Sequence, residues 1–275
     1  MTHPKHDYKD YPKTVPEEDF WGQVRRTVNG KPVPEEQIKM IVDAILAGLA
    51  LRPEDNCLDI ACGNGYLSSY LFPHCQSLFG VDASPYLIGI AQRYFEIPPR
   101  FKFVVDDAAH FVRTEPAPDR FNKVLCYGSF AYFSDVEASE TLKQLHSRFG
   151  SVRRIMIGNL PDRDRASNFY TTGQDFLADL DNHESQIGIW RSSTQFEALA
   201  ESTGWAFEVT RMPESFYAAH YRFDAVLHRK AERKPACPRL SRSLQSLILR
   251  FLEDRPVSPG RFQHQIWCVR IFSVF

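Results

Sequence analysis

The chain has 275 residues, is 43% hydrophobic and carries a formal net charge of −1. That is enough chain to bury one large core or two small ones, and the near-neutral balance argues against a field that gathers polyanions over the whole surface. The six cysteines, Cys57, Cys62, Cys75, Cys126, Cys237 and Cys268, form no CxxC pair and no Cys/His cluster with zinc spacing, so no metal centre is expected.

Scattered cysteines suit a reducing compartment better than a disulfide framework. The polar start, MTHPKHDYKDYPK, lacks the apolar core of a signal peptide, and no segment has the roughly 18 uninterrupted apolar residues of a membrane span. A cytoplasmic protein is expected.

The first 34 residues are rich in proline, charge and aromatics; EEDFWGQVRRTV reads as a short helix and NGKPVP as turn chemistry. PEEQIKMIVDAILAGLAL is an amphipathic helix, with Ile38, Ile41, Val42, Ile45, Leu46 and Leu49 on one face and Pro34, Glu35 and Glu36 at its start. NCLDIAC is a buried strand and YLSSYLF is helical. SLFGVDAS is a second strand ending on an acid, followed by the helix PYLIGIAQRYF with Pro85 near its start. FKFVVDDAAHF is a third strand and turn, FNKVLCYGSFAYF a fourth strand entering a loop, ASETLKQLHSRF a helix and VRRIMIGNLPD a fifth strand. STQFEALAESTGW is a helix ending near Gly204, and AFEVTRM and YRFDAVLHR are two further strands.

Beyond Lys230 the composition shifts. AERKPACPRLSRS reads as a linker, SRSLQSLILRFLED as a helix with one apolar face, and QIWCVRIFSVF as a possible strand. This tail carries eight Lys and Arg against three acids. Alternating strands and helices predict an α/β fold, a doubly wound and mostly parallel sheet with helices on both faces. Ligands of such folds bind beyond the carboxyl ends of the strands, near the point where strand order reverses.

The stretch LDIACGNGYLSSYL, Leu58 to Leu71, runs from strand through a glycine turn into helix. Such a turn lets a ligand touch the backbone, and the helix start favours negative charge. A dinucleotide site calls for G-x-G-x-x-G; here Gly63-Asn64-Gly65-Tyr66-Leu67-Ser68 lacks the third glycine, and the acid Asp82 at ribose distance is shared with another cofactor type.

The surroundings point to that other type. LDIACGNGYLSSYL resembles motif I of the class I S-adenosylmethionine-dependent methyltransferases. GVDAS resembles the family's second-strand end, FVVDDAAHF its adenine-binding turn and FNKVLCYGSFAYF its fourth strand. The resemblance covers roughly residues 35–230 and implies a seven-stranded Rossmann-like sheet whose final strand is antiparallel.

It also implies S-adenosyl-L-methionine as cofactor and S-adenosyl-L-homocysteine as product. Asp59 is then expected to meet the amino-acid end of the cofactor, with Ala61, Gly63 and Gly65 letting that end lie against the chain. Many members carry glycine where this chain has Ala61. Asp82, beside Ala83, is expected to accept both ribose hydroxyls, since a carboxylate takes two hydrogen bonds. Asp107, with the backbone of Ala108, is expected at the adenine edge in preference to Asp106, and Cys126 behind the methionine portion. The residues alone also allow Asp59 as a turn cap, Asp82 as a helix N-cap and Cys126 as a small core residue.

Methyl transfer to O or N requires alignment of the acceptor and loss of its proton. Candidates are Tyr132 in the loop after the fourth strand, Asn159, Asp162 and Arg163 after the fifth, and Tyr217 and His220 between the last two strands. His220 is the first choice as base because imidazole titrates near neutral pH. Trp21, Arg25 and Arg26 are lid candidates. The place of the base-amine methyltransferase loop reads CYGS, and Cys126 follows Leu125 rather than the proline that a cytosine-C5 enzyme needs. No basic, aromatic-interleaved stripe marks a nucleic-acid reader.

The expectation is therefore a methyltransferase acting on a small molecule of amino-sugar or secondary-metabolite type. A methyltransferase-like binding or scaffolding protein is the alternative. The expected organisation is an N-terminal lid segment (1–34), the methyltransferase domain (35–230) and a basic C-terminal extension (231–275) whose apolar helix face has three places to go, the sheet edge, the acceptor pocket or a second subunit, with a homodimer preferred.

Overall fold

A computed structural model of the chain describes residues 10–28, 31–170 and 175–230. The expected tail helix and strand, Cys237, Cys268 and the dimer contact lie outside the described residues. Those described belong to one compact unit that ends at Lys230.

The amphipathic helix α1, Glu35–Leu49, buries Ile38, Ile41, Val42, Ile45 and Leu49, the stripe its period dictates. Leu46, at the edge of that stripe, is partly buried. Strand β1, Asn56–Ile60, follows, then the short helix α2, Tyr66–Ser69, and β2, Ser77–Asp82. Helix α3, Pro85–Tyr94, is capped by Ser84, whose hydroxyl accepts from Leu87 N. The chain continues through β3, Phe101–Val105, α4, Ala108–Thr114, β4, Lys123–Tyr127, and α5, Asp135–Arg148. It ends with β5, Arg154–Pro161, α6, Ser193–Ser202, β6, Trp205–Thr210, and β7, Arg222–Arg229. Where α4 stands the sequence predicts a turn, because seven residues are too few for a 3.6-residue period to register.

The seven strands form one sheet in the order β3-β2-β1-β4-β5-β7-β6. The first five run parallel, and β7 pairs antiparallel with both β5 and β6. This is the Rossmann-like sheet with an antiparallel final strand. Strand order reverses between β1 and β4, so the crevice of a doubly wound fold opens at their carboxyl ends.

Two cores sandwich the sheet. One packs α1, Leu67 of α2, and Ile88 and Ala91 of α3 over one face. The other packs Phe111 and Val112 of α4, Leu142 and Leu145 of α5 and Phe196 of α6 over the other face. Each fully buried Ile or Leu contributes about 1.5–3 kcal/mol. Buried Lys123 ties α1 to β4 by donating to Leu49 O at 2.7 Å, and it lies 3.7 Å from Asp55. That lysine neutralises a helix C-terminus, where a cation is favoured.

Helices α5 and α6 both begin with a capping box. In α6 the Ser192 hydroxyl accepts from Gln195 N at 3.1 Å and the Gln195 amide oxygen accepts from Ser192 N at 2.9 Å. Ser192→Ala removes the first of these bonds. It is expected to lower unfolding free energy by about 1 kcal/mol in urea titration, with cofactor affinity unchanged because α6 lies away from the crevice.

Candidate functional site

The turn after β1 takes an unusual backbone path. Ala61, Gly63 and Gly65 all have left-handed φ, at 58°, 62° and 74°. The glycines meet that demand without a side-chain clash. Ala61 holds the same conformation against a steric cost of roughly 1–2 kcal/mol. At Gly65 a side chain meets the ring of Phe103 at 2.8 Å, so this glycine seats the start of α2 on the sheet and does not line the crevice.

Asp82 ends β2 and fixes the turn. Gly63 N donates to its Oδ2 at 2.9 Å and Ser84 N to its Oδ1 at 2.9 Å. Each oxygen keeps a further lone pair, and the residue lines the crevice with Ala83. Its burial raises its pKa, while the two N–H donors lower it. The N-cap of α3 is Ser84, so Asp82 is not committed to the helix.

Asp59 is 3% exposed and accepts from Ser68 Oγ at 2.6 Å. Burial pushes its carboxyl up to about 7, with the Ser68 hydroxyl and the Arg26 charge pulling the other way. Asp107 caps α4, its Oδ1 accepting from Ala109 N at 3.0 Å and His110 N at 3.1 Å. It lines the crevice with Ala108, whereas Asp106 is paired with His110 Nδ1 at 2.8 Å outside it. Cys126, within β4, is fully buried and does not line the crevice; burial raises its thiol pKa.

The N-terminal segment closes over the turn. Asn64, 1% exposed, donates from Nδ2 to Phe20 O and to Gln23 Oε1, both at 2.8 Å. Trp21 packs on Tyr66 at 4.4 Å between centroids, and Phe20 packs on the same ring at 4.9 Å. Farther out, Glu17 pairs with Arg93 and accepts from Tyr94 Oη. Trp21, Val24 and Arg26 thereby roof the crevice. Arg25 points away, its guanidinium 4.0 Å from the Tyr11 ring.

The cavity measures about 370 Å³, within the range of roughly 300–1,000 Å³ typical of small-molecule sites. It runs from Asp107 past Asp82 and the glycine turn to Tyr127, Ser129, Tyr132 and Glu137. The Ser129 hydroxyl donates to Ala61 O at 3.4 Å, joining the loop after β4 to the turn.

The remaining acceptor candidates are not brought to this cavity. Asn159, with φ 63°, donates its N–H to Asp224 Oδ1 at 2.6 Å at a bulge between β5 and β7. Asp162 is buried against Arg211, with Arg211 Nη2 2.6 Å from Oδ2. Arg163 pairs with Asp181, and Tyr217 N donates to Gln37 Oε1 at 2.9 Å. His220 is exposed, its carbonyl accepting from Asn168 Nδ2 at 2.8 Å. Tyr132 alone of the named acceptor candidates lines the cavity, and its hydroxyl donates to Gln186 O at 2.9 Å.

Sequence reasoning passed over Asn64, Ser129 and Glu137. Asn64 carried a signal, an amide between two glycines where any residue is sterically allowed. Glu137 had one too, at the third position of a helix that opens with Ser134.

Residues 57–149 match a family model described as a methyltransferase domain. The nodulation protein S of Rhizobium tropici is 34% identical over 71 residues, covering 26% of this chain and 30% of that protein. An uncharacterized methyltransferase of Schizosaccharomyces pombe is 26% identical over 112 residues, 38% of each chain. The chain thus spans well under two thirds of either curated relative. Among solved structures, the magnesium protoporphyrin IX methyltransferase of Synechocystis PCC 6803, crystallised with bound S-adenosylhomocysteine, superposes with a TM-score of 0.55 at 16% identity over 82% of this chain and 98% of that one. The sheet order, the glycine turn joined to an acid at the end of the second strand, and the match over residues 57–149 agree: this chain carries a methyltransferase domain on a Rossmann-like methyltransferase fold.

Proposed function

We propose that the protein binds S-adenosylmethionine in the cavity of β1, β2 and β4 and moves its methyl group to an oxygen or nitrogen of a small-molecule acceptor. The observation that carries this reading is the continuity of the cavity. It joins the adenine acid Asp107, the ribose acid Asp82 and the glycine turn to an aromatic-lined end at Tyr127 and Tyr132. The cofactor supplies a methyl group on a sulfonium. The chain's residues supply position and dryness.

In this reading both oxygens of Asp82 accept the ribose hydroxyls while their backbone donors keep the carboxylate from rotating. The second oxygen of Asp107 accepts from the adenine amine, its first being held by the start of α4. Ionised Asp59 pairs with the ammonium of the amino-acid end. Tyr132 and Glu137 face the acceptor, and Trp21 excludes water above it. The modest volume and the roof support a small acceptor of amino-sugar or secondary-metabolite type over a polymer. A binding protein without turnover is the second reading. Release of S-adenosylhomocysteine across a panel of amines, phenols, sugars and acids separates the two, and no release from any class removes the enzyme reading.

Asp82→Ala is expected to weaken S-adenosylhomocysteine binding by about 1.5–3 kcal/mol, and calorimetric titration beside NAD(H) reads this directly. Affinity unchanged by the substitution, or preferential binding of NAD(H), overturns the assignment of the turn.

The raised pKa of Asp59 gives a pH signature with a fixed sign. In the folded protein its protonated form is favoured, so its contribution to stability is full below about pH 4 and is lost as pH rises through about 7. The cofactor's ammonium requires the ionised form, so affinity for S-adenosylhomocysteine is expected to rise between pH 6 and 8 in the wild type. In Asp59→Asn the affinity should be weaker and flat over that range.

Ala61→Gly relieves the left-handed strain at the turn. A gain of about 1 kcal/mol in unfolding free energy is expected, read by thermal melting of the ligand-free protein.

A further inference from the structure

The end of the cavity at Tyr132, Phe133 and Glu137 offers a ligand hydrogen-bond acceptors and ring faces. Its donors are spent within the chain. The Tyr132 hydroxyl donates to Gln186 O at 2.9 Å and the Ser129 hydroxyl to Ala61 O at 3.4 Å. The backbone N–H groups of Gly128, Tyr132 and Phe133 donate to Gly158 O, Ser129 O and Phe130 O. Tyr127 gives the cavity its ring, while its hydroxyl is sealed in the interior.

Among the described residues, Asp59, Asp82, Asp107 and Glu137 are the acids of the lining and Arg26 is its cation. In the methyltransferase reading Asp59, Asp82 and Asp107 serve the cofactor, and the charge of Arg26 acts on Asp59. Glu137 stands apart from them, in the first turn of α5. Its carboxylate is held in place. Oε2 accepts from Ser134 N and from Ser134 Oγ, each at 2.9 Å, and Glu137 N donates back to Ser134 Oγ at 3.2 Å. A side chain already fixed by a capping box loses little freedom when a ligand binds it.

A fixed carboxylate beside aromatic rings matches a cation that donates N–H bonds. A ligand carboxylate or phosphate is repelled by Glu137 and finds no donor there. An alcohol can place an O–H on the carboxylate but brings no charge to it. We propose that Glu137 is the counter-ion of a protonated amine held against the rings of Tyr132 and Phe133, and that the methyl acceptor is an amine. The inference rests on the methyltransferase reading of the cavity and narrows the acceptor atom from oxygen or nitrogen to nitrogen. The ion pair selects the amine on binding. The nitrogen then loses one proton to water, the N–H bond breaking, since its lone pair must be available to take the methyl group.

The test is calorimetric titration of the full chain and of Glu137→Gln, each saturated with S-adenosylhomocysteine. Glutamine keeps the box and removes the charge, as Gln195 shows in α6, where its Oε1 accepts from Ser192 N at 2.9 Å. The variant is therefore expected to melt with the wild type and to bind S-adenosylhomocysteine as tightly. The probes are two amines, each beside the alcohol that puts oxygen in place of nitrogen: benzylamine with benzyl alcohol, and glucosamine with glucose. Phenylacetate is the anionic control. The wild-type complex is expected to bind an amine at least about tenfold tighter than its alcohol, and Glu137→Gln to lose that advantage. Phenylacetate should bind neither protein. The proposal is overturned if neither amine binds a complex that holds S-adenosylhomocysteine, if an alcohol binds as tightly as its amine, or if phenylacetate binds best. An amine affinity that Glu137→Gln leaves unchanged overturns it too. Equal loss of S-adenosylhomocysteine and amine in the variant marks a purely structural glutamate and has the same consequence. A wild type that binds no S-adenosylhomocysteine fails differently, since it removes the methyltransferase reading itself.

Discussion

The carboxylate of Asp82 is the constraint on which the site depends. It closes a bridge between two loops, taking one N–H from the glycine turn after β1 and one from the start of α3 after β2. Parallel pairing in register, with Ile60 opposite Val81, brings those strand ends side by side. The turn presents Gly63 N toward the acid only because Ala61, Gly63 and Gly65 adopt left-handed φ. A carboxylate held at both oxygens loses little freedom when it accepts further bonds, so the site is organised before any ligand arrives.

The roof depends on the same turn. Asn64 projects between the two glycines and holds the N-terminal segment by a backbone oxygen and an amide oxygen. The aromatic cluster of Phe20, Trp21, Tyr66 and Phe95 packs that segment onto the turn. Burial has an electrostatic consequence, because charges removed from water interact more strongly and neutral forms gain. It raises the Asp59 carboxyl.

Beyond β5 the polar residues serve the fold. Asp162 gathers Arg211 and caps the turn that follows it, and Arg163 binds Asp181. Asn159 sits at the bulge where β7 enters antiparallel and there engages Asp224. An antiparallel final strand needs such corrections of register, and polar side chains supply them. The end of the cavity at Tyr132 and Glu137 is therefore built from the loop after β4 and the first turn of α5, not from the loops after β5 and before β7.

The strand and helix order, the switch point and the glycine turn with its acid could be read from residues 35–230 because they follow local rules. Apolar runs of four to eight residues make buried strands, a stripe every three to four residues makes a helix, and adjacent glycines permit left-handed backbone. Helix α4 was missed because it is too short to show a period. The sequence determined that the chain turns through glycines at Gly63 and Gly65 and that acids stand at the ends of the second and third strands. Only the tertiary structure decided that Arg26 and not Arg25 enters the cavity, that Asn64 fastens the roof, and that His220 and Asp162 lie elsewhere. Those outcomes depend on which face of an irregular segment meets a partner distant along the chain, and no local periodicity encodes that meeting.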